Sequence, residues 1–314
     1  MDTPFDRRRF LTHSLAASLG YVCLPVVSLL ARDPIVREGK PRLLLSLAAY
    51  SFRQYFQHGR GKNDKPVPIE KQIDILQFID YCADNGCQGA ELTSYYFPEN
   101  VTSEYLIKVK QHAFLRGVEV SGTSVGNNFA IKDAVKRNKQ VADVKEWIDR
   151  AAILGAPHIR VFAGTADGAE KAEAKKYCIQ AMEEACEYAG SKGIFLGIEN
   201  HGGIVAEPDD LLEIVKTVKS PWFGINLDTA NFHTEDPYAD LARIAPYAVN
   251  VQMKAEIRAK GKAQEPADFQ RLVKILRDAN YQGYVALEYE SPADPFEAVP
   301  GLLKRMKESF RSLS

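Results

Sequence analysis

Four polar residues stand out in the C-terminal half of the chain, each one step past a short apolar run. They are Glu199 in Gly-Ile-Glu-Asn, Asp228 in Asn-Leu-Asp-Thr, Gln252 in Asn-Val-Gln-Met-Lys and Glu288 in Ala-Leu-Glu-Tyr. Two carboxylates roughly 4 Å apart repel by about 4 kcal/mol at an effective dielectric near 20. A shared divalent cation removes this repulsion, so the pattern predicts a metal site. The alternative is that each acid is separately paired with a basic side chain or solvated.

Such a site has a definite chemistry. Oxygen ligands favour hard cations, and we expect Mn²⁺, Mg²⁺ or Co²⁺. A cation held by four side chains keeps positions for substrate oxygens, and it acidifies the C–H bond next to a bound carbonyl. A carboxylate then removes that proton and the cation stabilises the enediolate. Return of the proton gives epimerisation or isomerisation, whereas loss of a β-substituent gives a lyase.

The elements that position these residues repeat along the chain. Eight apolar runs are each followed by a polar loop and a segment of helical period: Leu43–Phe52, Gly89–Ser94, Val118–Thr123, His158–Ala163, Ile194–Asn200, Phe223–Asp228, Val249–Lys254 and Tyr284–Tyr289. Nearly continuous apolar runs are typical of parallel strands buried on both faces. The alternation therefore predicts the α/β class.

Two sheet topologies fit this alternation, a closed barrel and an open doubly wound sheet. The open sheet usually carries a glycine-rich phosphate turn after its first strand, but the first run ends Ala-Tyr-Ser-Phe-Arg. Four long polar loops all follow strands, at 57–66, 125–139, 164–175 and 255–266. They would rise on the catalytic face of a barrel. We predict a single (β/α)8 TIM barrel over residues 43–314, with the four polar residues on neighbouring strands.

Local signals predict where several helices begin and end. The apolar stripe from Ile69 to Ala83 has helical period and predicts a helix over that range. Pro208 is placed for the first turn of another helix. Four glycines follow helical stretches and precede strands, the usual position of a helix C-cap: Gly117, Gly155, Gly193 and Gly283.

The N-terminus predicts an export signal rather than part of the barrel. A twin-arginine stretch at Arg7 to Leu11 precedes an apolar segment from Leu15 to Ala31 that Pro25 interrupts. We assign residues 1–32 to a twin-arginine-type signal and expect a periplasmic protein without stable membrane insertion after processing. An uncleaved membrane anchor is the alternative, although the segment is short for a span.

Composition and charge exclude several classes of protein. The content of apolar residues is 46% and that of charged residues 26%, as in ordinary globular proteins. A formal net charge of -1 does not favour binding of nucleic acid. Cys82, Cys87, Cys178 and Cys186 lack the spacing of zinc ligands, and we expect them to be buried free thiols.

The four motifs together resemble the sugar phosphate isomerase/epimerase family, which has the xylose isomerase-like TIM barrel. The resemblance covers roughly residues 43–314 and implies that Glu199 and Glu288 are both metal ligands and the catalytic acid/base pair. Asp228 would be the third metal ligand. Relatives often carry a His-x-His pair that supplies the fourth ligand, whereas this chain has Asn250 and Gln252 there. A glutamine oxygen can also ligate a metal, so we expect Gln252 to complete the site.

Six further residues are candidates for substrate contact: Arg160, His201, Asn231, Lys254, Glu91 and Glu256. Asn231 stands where several epimerases of the family have a substrate-contacting histidine, and Lys254 resembles a lysine often found after the strand-seven ligand. Arg160 ends a strand and suits a polyhydroxy or anionic substrate, with a salt bridge to Glu91 as the alternative. Four aromatic residues are candidate walls of a sugar pocket or simple packing groups: Tyr50, Phe52, Tyr95 and Phe232.

Function therefore divides into a few hypotheses. The first is a metal-dependent isomerase or epimerase acting on a sugar or polyol. A lyase or hydratase on an exported keto sugar or glycoside is the second, and a sugar-binding protein without catalysis is the third. An endonuclease IV-like nuclease needs a histidine-rich zinc cluster, but no histidine follows Val249. We expect a small-molecule sugar or glycoside as partner, and the oligomeric state stays open, a homo-oligomer included.

Overall fold

The structure is a computed structural model that describes residues 32–59 and 67–312. The predicted export signal lies outside these residues, apart from Arg32. Backbone contacts with the barrel begin earlier than the predicted boundary at residue 43. The Arg32 amide donates to the Lys216 carbonyl at 2.9 Å, and the Ile35 amide donates to the Pro246 carbonyl at 3.0 Å. Residues 32–41 therefore belong with the barrel.

Eight parallel strands close into a barrel, which confirms the predicted fold. In chain order the strands are β1 (Arg42–Ala48), β2 (Gly89–Thr93), β3 (Glu119–Ser124), β4 (His158–Phe162), β5 (Phe195–Glu199), β6 (Phe223–Asp228), β7 (Ala248–Lys254), β8 (Glu256–Ile257), β9 (Glu265–Pro266) and β10 (Gln282–Glu288). The barrel order is β1-β10-β7-β6-β5-β4-β3-β2. Strands β8 and β9 form a separate antiparallel pair in the loop after β7.

Helices surround the barrel and bury one face against it. They are α1 (Ile75–Asp84), α2 (Ser103–Leu115), α3 (Ala134–Leu154), α4 (Lys171–Ser191), α5 (Pro208–Thr217), α6 (Pro237–Ile244), α7 (Phe269–Asp278) and α8 (Pro295–Ser312). Their apolar stripes pack on the outer faces of the strands, which explains why the strand sequences are apolar nearly throughout. No helix of the described residues is both long and apolar enough to span a membrane.

Helix boundaries follow the local signals with two differences. Pro208 opens α5, and Gly117, Gly155 and Gly193 have positive φ after their helices, as predicted. Helix α1 begins at Ile75 instead of Ile69. The reason is Asp74, whose side chain accepts from the Gln77 amide while the Gln77 side chain accepts from the Asp74 amide.

The second difference concerns Gly283, which lies inside β10 and is not a helix cap. Asn280 takes the left-handed conformation after α7, with φ of 52°. Its side chain donates to the Arg37 carbonyl at 2.7 Å. Asparagine tolerates this conformation better than most residues. Asn280 therefore ends helix α7 in the left-handed conformation that was expected of Gly283.

The four cysteines of the described barrel are buried free thiols, as predicted. Burial raises the pKa of Cys178 to about 12. They act as small apolar side chains in the packing between helices and strands.

Candidate active site

Strand register brings the predicted polar residues to one end of the barrel. Glu199 is level with Asn226 across β5 and β6, and Asp228 is level with Gln252 across β6 and β7. Glu288 is level with Lys254 across β7 and β10. The C-terminal ends of four consecutive barrel strands therefore surround one region, as the sequence predicted.

A cavity of about 240 Å³ opens at this end of the barrel, and nine side chains line it: Tyr50, Tyr95, Arg160, Phe162, Glu199, His201, Lys254, Glu288 and Glu290. A larger hollow of about 770 Å³ shares only Tyr95 with it and extends toward Trp147 and Arg150 on the outer helices. The smaller cavity is the chemically credible site because it gathers three acids and three basic side chains.

Glu199 is held at both carboxylate oxygens. Its Oε2 lies 2.9 Å from Arg160 Nε, and its Oε1 lies 2.9 Å from His201 Nδ1 and accepts from Asn231 Nδ2 at 2.9 Å. Burial by itself would raise the pKa of Glu199, but the Arg160 charge and the His201 hydrogen bond bring it below its usual value. Glu199 is therefore an ionised carboxylate at neutral pH.

Arg160 enters the site from β4 and is almost fully buried. Its Nη1 donates to the Val125 carbonyl at 2.7 Å, and its guanidinium lies 3.9 Å from the centre of the Phe162 ring. These contacts fix the planar group against Glu199. The alternative salt bridge to Glu91 is absent, because Arg160 pairs with Glu199 instead.

Lys254 lies among the remaining acids. Its Nζ is 3.2 Å from Asp228 Oδ2 and 2.5 Å from Glu290 Oε2, and it also donates to Glu288 Oε2. Only 6% of the residue is exposed. Burial opposes the charge, but Asp228, Glu288 and Glu290 outweigh it and raise the pKa of Lys254 well above its ordinary value. The ammonium is thus a permanent cation inside the cluster.

Asp228 and Glu288 are both buried, and burial raises the pKa of each despite the opposing charge of Lys254. The pKa of Asp228 reaches about 7. Its Oδ1 accepts from the Ala230 amide at 2.8 Å, so Oδ2 is the oxygen that faces Lys254. Asn200 ties β5 to β6 by bonding both the amide and the carbonyl of Asp228.

Beneath the cavity lies an inner polar layer, defined here as Glu91, Asn226, Asn250 and Gln252. Glu91 accepts from Asn250 Nδ2 at 2.7 Å and from Gln252 Nε2 at 2.6 Å. Asn226 Nδ2 donates to Gln252 Oε1 at 2.7 Å, and Asn250 Nδ2 donates to Asn226 Oδ1 at 2.8 Å. Burial, with a contribution from Glu288, raises the pKa of Glu91 to about 7 against these hydrogen bonds.

This network corrects the predicted role of Gln252. Its side-chain oxygen is directed at Asn226, and the atom near Glu288 is Nε2, at 3.5 Å from Oε1. A carboxamide binds a hard cation through its oxygen, so Gln252 does not complete a metal site in this orientation. Within the described part of the chain, no group of three or more His, Cys, Asp and Glu side chains is arranged to hold a metal ion.

The side chains at the predicted metal centre therefore do not form a set of ligands that fits a metal ion. The four residues are neighbours, as expected, but Lys254 stands between Asp228 and Glu288, and Arg160 is paired with Glu199. The alternative left open by the sequence, that the acids are paired with basic side chains, describes the arrangement. Repulsion among the carboxylates is relieved by two side-chain cations.

The other candidate residues divide between the cavity and its surroundings. His201 and Asn231 contact Glu199. Glu91 lies beneath the cavity, and Glu256 accepts from Gln264 Nε2 at 3.0 Å in the loop after β7. Neither lines the cavity, so direct substrate contact is not supported for them. Tyr50 and Tyr95 line the cavity, whereas Phe52 and Phe232 are packing groups of the core.

Sequence reasoning missed Glu290 and Phe162 as parts of the site. Glu290 stands two residues beyond Glu288, and alternate residues of an extended chain share a face. That spacing was the signal for a second acid on the same side. Phe162 follows Arg160 by the same interval, but an aromatic residue ending a strand is too common to mark a site.

Comparison with known families shows to which family the chain belongs. The model of the xylose isomerase-like TIM barrel family matches residues 79–311. The chain belongs to this family. No protein with a curated functional description matches the sequence.

Solved structures of the family's fold are similar to the chain over most of its length. A D-psicose 3-epimerase structure with D-fructose is 18% identical, with a TM-score of 0.64 over 86% of this chain and 96% of that one. A 3-keto-D-glucoside 4-epimerase from E. coli is 16% identical, with a TM-score of 0.63 over 85% and 100%. A probable 3-DHS dehydratase from Bacillus anthracis is 15% identical, with a TM-score of 0.60 over 84% and 97%. These likenesses show the fold.

Proposed function

We propose that the protein is an isomerase or epimerase that moves a proton at a carbon next to a sugar carbonyl. The observation that carries the proposal is the pair Glu199 and Glu288, two buried carboxylates that line one cavity. Their environments push the two pKa values in opposite directions. Such a separation is characteristic of an acid and a base that work as a pair.

The division of labour follows from those environments. Glu199 is ionised and acts as the base that takes the proton from carbon. Glu288 has the raised pKa, and it supplies the proton that returns to the enediol. Return to the opposite face of the same carbon inverts it, and return to the neighbouring carbon moves the carbonyl. Exchange with water then restores both carboxyl groups to their starting forms.

The lining of the cavity suits a sugar. Tyr50, Tyr95 and Phe162 provide aromatic surface, and the charged groups between them provide donors and acceptors for hydroxyl groups. Two structurally similar proteins are named as epimerases of D-psicose and of a 3-keto-D-glucoside. We therefore propose a free ketose or a keto-glycoside as the substrate class.

The predicted twin-arginine segment adds a location to this proposal. An exported enzyme meets free or glycosidic sugars rather than phosphorylated ones, which are mostly internal. We propose that the enzyme acts in the periplasm on sugars or glycosides of that kind.

A lyase is the second candidate, and one observation favours it. A structurally similar protein is named as a probable dehydratase. Removal of the same proton by Glu199, followed by loss of a β-substituent instead of reprotonation, gives an eliminated product. The two reactions therefore share their first step and differ in the fate of the enediolate.

The test is proton NMR of ketoses and 3-keto-glycosides incubated with the protein in D₂O. We expect deuterium at a carbon next to the carbonyl, together with an epimer or isomer of unchanged composition. An unsaturated product that has lost water or an alcohol would establish the lyase instead. Binding of a sugar without any exchange would contradict both enzymatic proposals and leave a sugar-binding protein.

A further inference from the structure

We infer that Lys254 and Arg160 together replace the divalent cation of the predicted site, and that Lys254 Nζ is the group that binds the developing enediolate oxygen. The replacement of the divalent cation follows from the positions of charged side chains in the cavity. The binding of the enediolate oxygen by Lys254 rests on the proposed function.

Lys254 occupies the position of the predicted cation. Asp228 Oδ2, Glu290 Oε2 and Glu288 Oε2 surround Nζ. The ammonium donates hydrogen bonds to Glu288 and Glu290, whereas Asp228 Oδ2, at 3.2 Å, has no hydrogen-bond partner among the described residues, so one ammonium proton remains for an oxygen of the substrate. The ammonium therefore stands where a cation shared by Asp228 and Glu288 would have to stand. Lys254 also lines the cavity, so its charge faces bound substrate as well as the acids.

Arg160 supplies the second positive charge of the cavity. It pairs with Glu199 Oε2 at 2.9 Å, while His201 and Asn231 occupy Glu199 Oε1. Glu199, the predicted ligand on β5, is thus already satisfied by side chains of the protein. Two monovalent cations supply the same two positive charges as one divalent ion, and they lie against the three carboxylates among the four predicted ligands.

A divalent ion added to this arrangement would meet strong opposition. A dication roughly 4 Å from the Lys254 ammonium is repelled by about 8 kcal/mol at an effective dielectric near 20. The fourth ligand is also missing, because Gln252 Oε1 accepts from Asn226 and the inner polar layer fixes that orientation. Both the lysine and the amide network would have to rearrange before a metal was held.

The chemistry assigned to Lys254 needs no other reagent. When Glu199 takes the proton, the electrons of the C–H bond form a carbon–carbon double bond, and the carbonyl oxygen gains negative charge. Lys254 donates a hydrogen bond to that oxygen and keeps its proton. Glu288 then gives a proton to carbon and the carbonyl reforms, so the substrate has gained and lost one proton. A donor prepositioned for a developing oxyanion accelerates such a step by roughly 10²–10³-fold.

The first experiment measures metal binding without any substrate. Chelator-treated protein is titrated with Mn²⁺, and free Mn²⁺ is followed by electron paramagnetic resonance for wild type, Lys254→Met and Lys254→Arg. Lys262→Met serves as the control, because Lys262 is exposed in the loop after β7. We expect no site in wild type, Lys254→Arg or the control at micromolar Mn²⁺, and at least tenfold tighter binding by Lys254→Met. One Mn²⁺ bound per wild-type chain with micromolar affinity would overturn the inference.

The second experiment uses the deuterium-exchange reaction. We expect chelator treatment to leave the exchange rate of wild type unchanged, Lys254→Met to lose about 10²-fold or more in kcat, and Lys254→Arg to retain part of it. Loss of exchange on chelation with recovery in Mn²⁺ would overturn the inference while the proposed function stood. If no sugar is turned over, the proposed function fails and the Mn²⁺ titration still decides the place of Lys254. Should Lys254→Met not fold, the Mn²⁺ titration of wild type and the exchange rate of Lys254→Arg test the inference.

Discussion

The cavity and the inner polar layer beneath it stabilise buried carboxyl groups in different ways. Both place buried carboxyl groups inside the barrel. Glu91 in the inner layer receives hydrogen bonds from two neutral amides, Asn250 and Gln252, and its pKa rises to about 7. In the cavity, Glu199 and Glu288 are paired with the cations Arg160 and Lys254.

Because of this difference, we assign a structural role to the inner polar layer and a chemical role to the cavity. A closed network of amides satisfies its members and leaves no donor for a substrate, so the inner layer fixes the geometry of the strands. Side-chain cations beside acids create a strong field at an open cavity, where it acts on whatever is bound. Substitutions in the cavity should therefore lower activity, whereas substitutions in the inner polar layer should lower stability.

The largest effect is expected for Glu288→Gln. The amide keeps the shape of the side chain but cannot return a proton to carbon, so turnover should fall by roughly 10³-fold or more. The unfolding midpoint should change little. Deuterium exchange and thermal unfolding, measured beside the exposed-site control Glu308→Gln, check both parts. Activity within a few-fold of wild type would remove Glu288 from the proposed acid/base pair.

A stability effect is expected in the inner layer for Asn250→Leu. The change removes donors from Glu91 Oε2 and Asn226 Oδ1, and both acceptors stay buried. We expect the free energy of unfolding to drop by about 3 kcal/mol. Denaturant unfolding of the variant measures it. An unchanged free energy would mean that the amide network does not stabilise the barrel.

A smaller effect concerns the pH dependence of stability. Because the pKa of Glu91 rises from its usual 4.5 to about 7, the folded state holds this proton more tightly than the unfolded state. Its contribution is present at low pH and is lost as pH rises through about 7. We expect the decline in unfolding free energy between about pH 5 and about pH 8 to be smaller in Glu91→Gln than in wild type, by on the order of 2 kcal/mol. Equal declines in the two proteins would contradict the assignment.

The smallest effect is expected for His201→Ala. His201 contacts Glu199 Oε1, but its side chain is 56% exposed, and Asn231 donates to the same oxygen. Loss of one of two partially redundant contacts should lower kcat by about threefold to tenfold. Asn231→Ala provides the matched comparison. A loss as large as that of Glu288→Gln would show that His201 itself transfers a proton.

Much of the fold was visible in the sequence, because burial on both faces leaves a strong mark on parallel strands. All eight apolar runs are barrel strands, and the order of the strands then brought Glu199, Asp228 and Glu288 together without further information. Boundaries were less accurate where a side chain intervenes locally. Asp74 delays the start of α1, and Asn280 takes the place expected of Gly283.

The electrostatic arrangement of the site was harder to predict. The sequence showed the acids at strand ends, but not which cation would neutralise them, because that depends on where long side chains fold back. Lys254 and Arg160 reach their partners across neighbouring strands, and no spacing along the chain encodes those pairings. The orientation of the Gln252 amide depends on Asn226 and Asn250 in the same way.

The most direct test of the account is a crystal structure of the protein grown with Mn²⁺, with anomalous scattering recorded at the manganese edge. We predict Lys254 Nζ between Asp228 and Glu288, Arg160 against Glu199, and no anomalous peak in the cavity. A manganese peak roughly 2.0–2.6 Å from oxygens of these carboxylates, with Lys254 displaced, would contradict it.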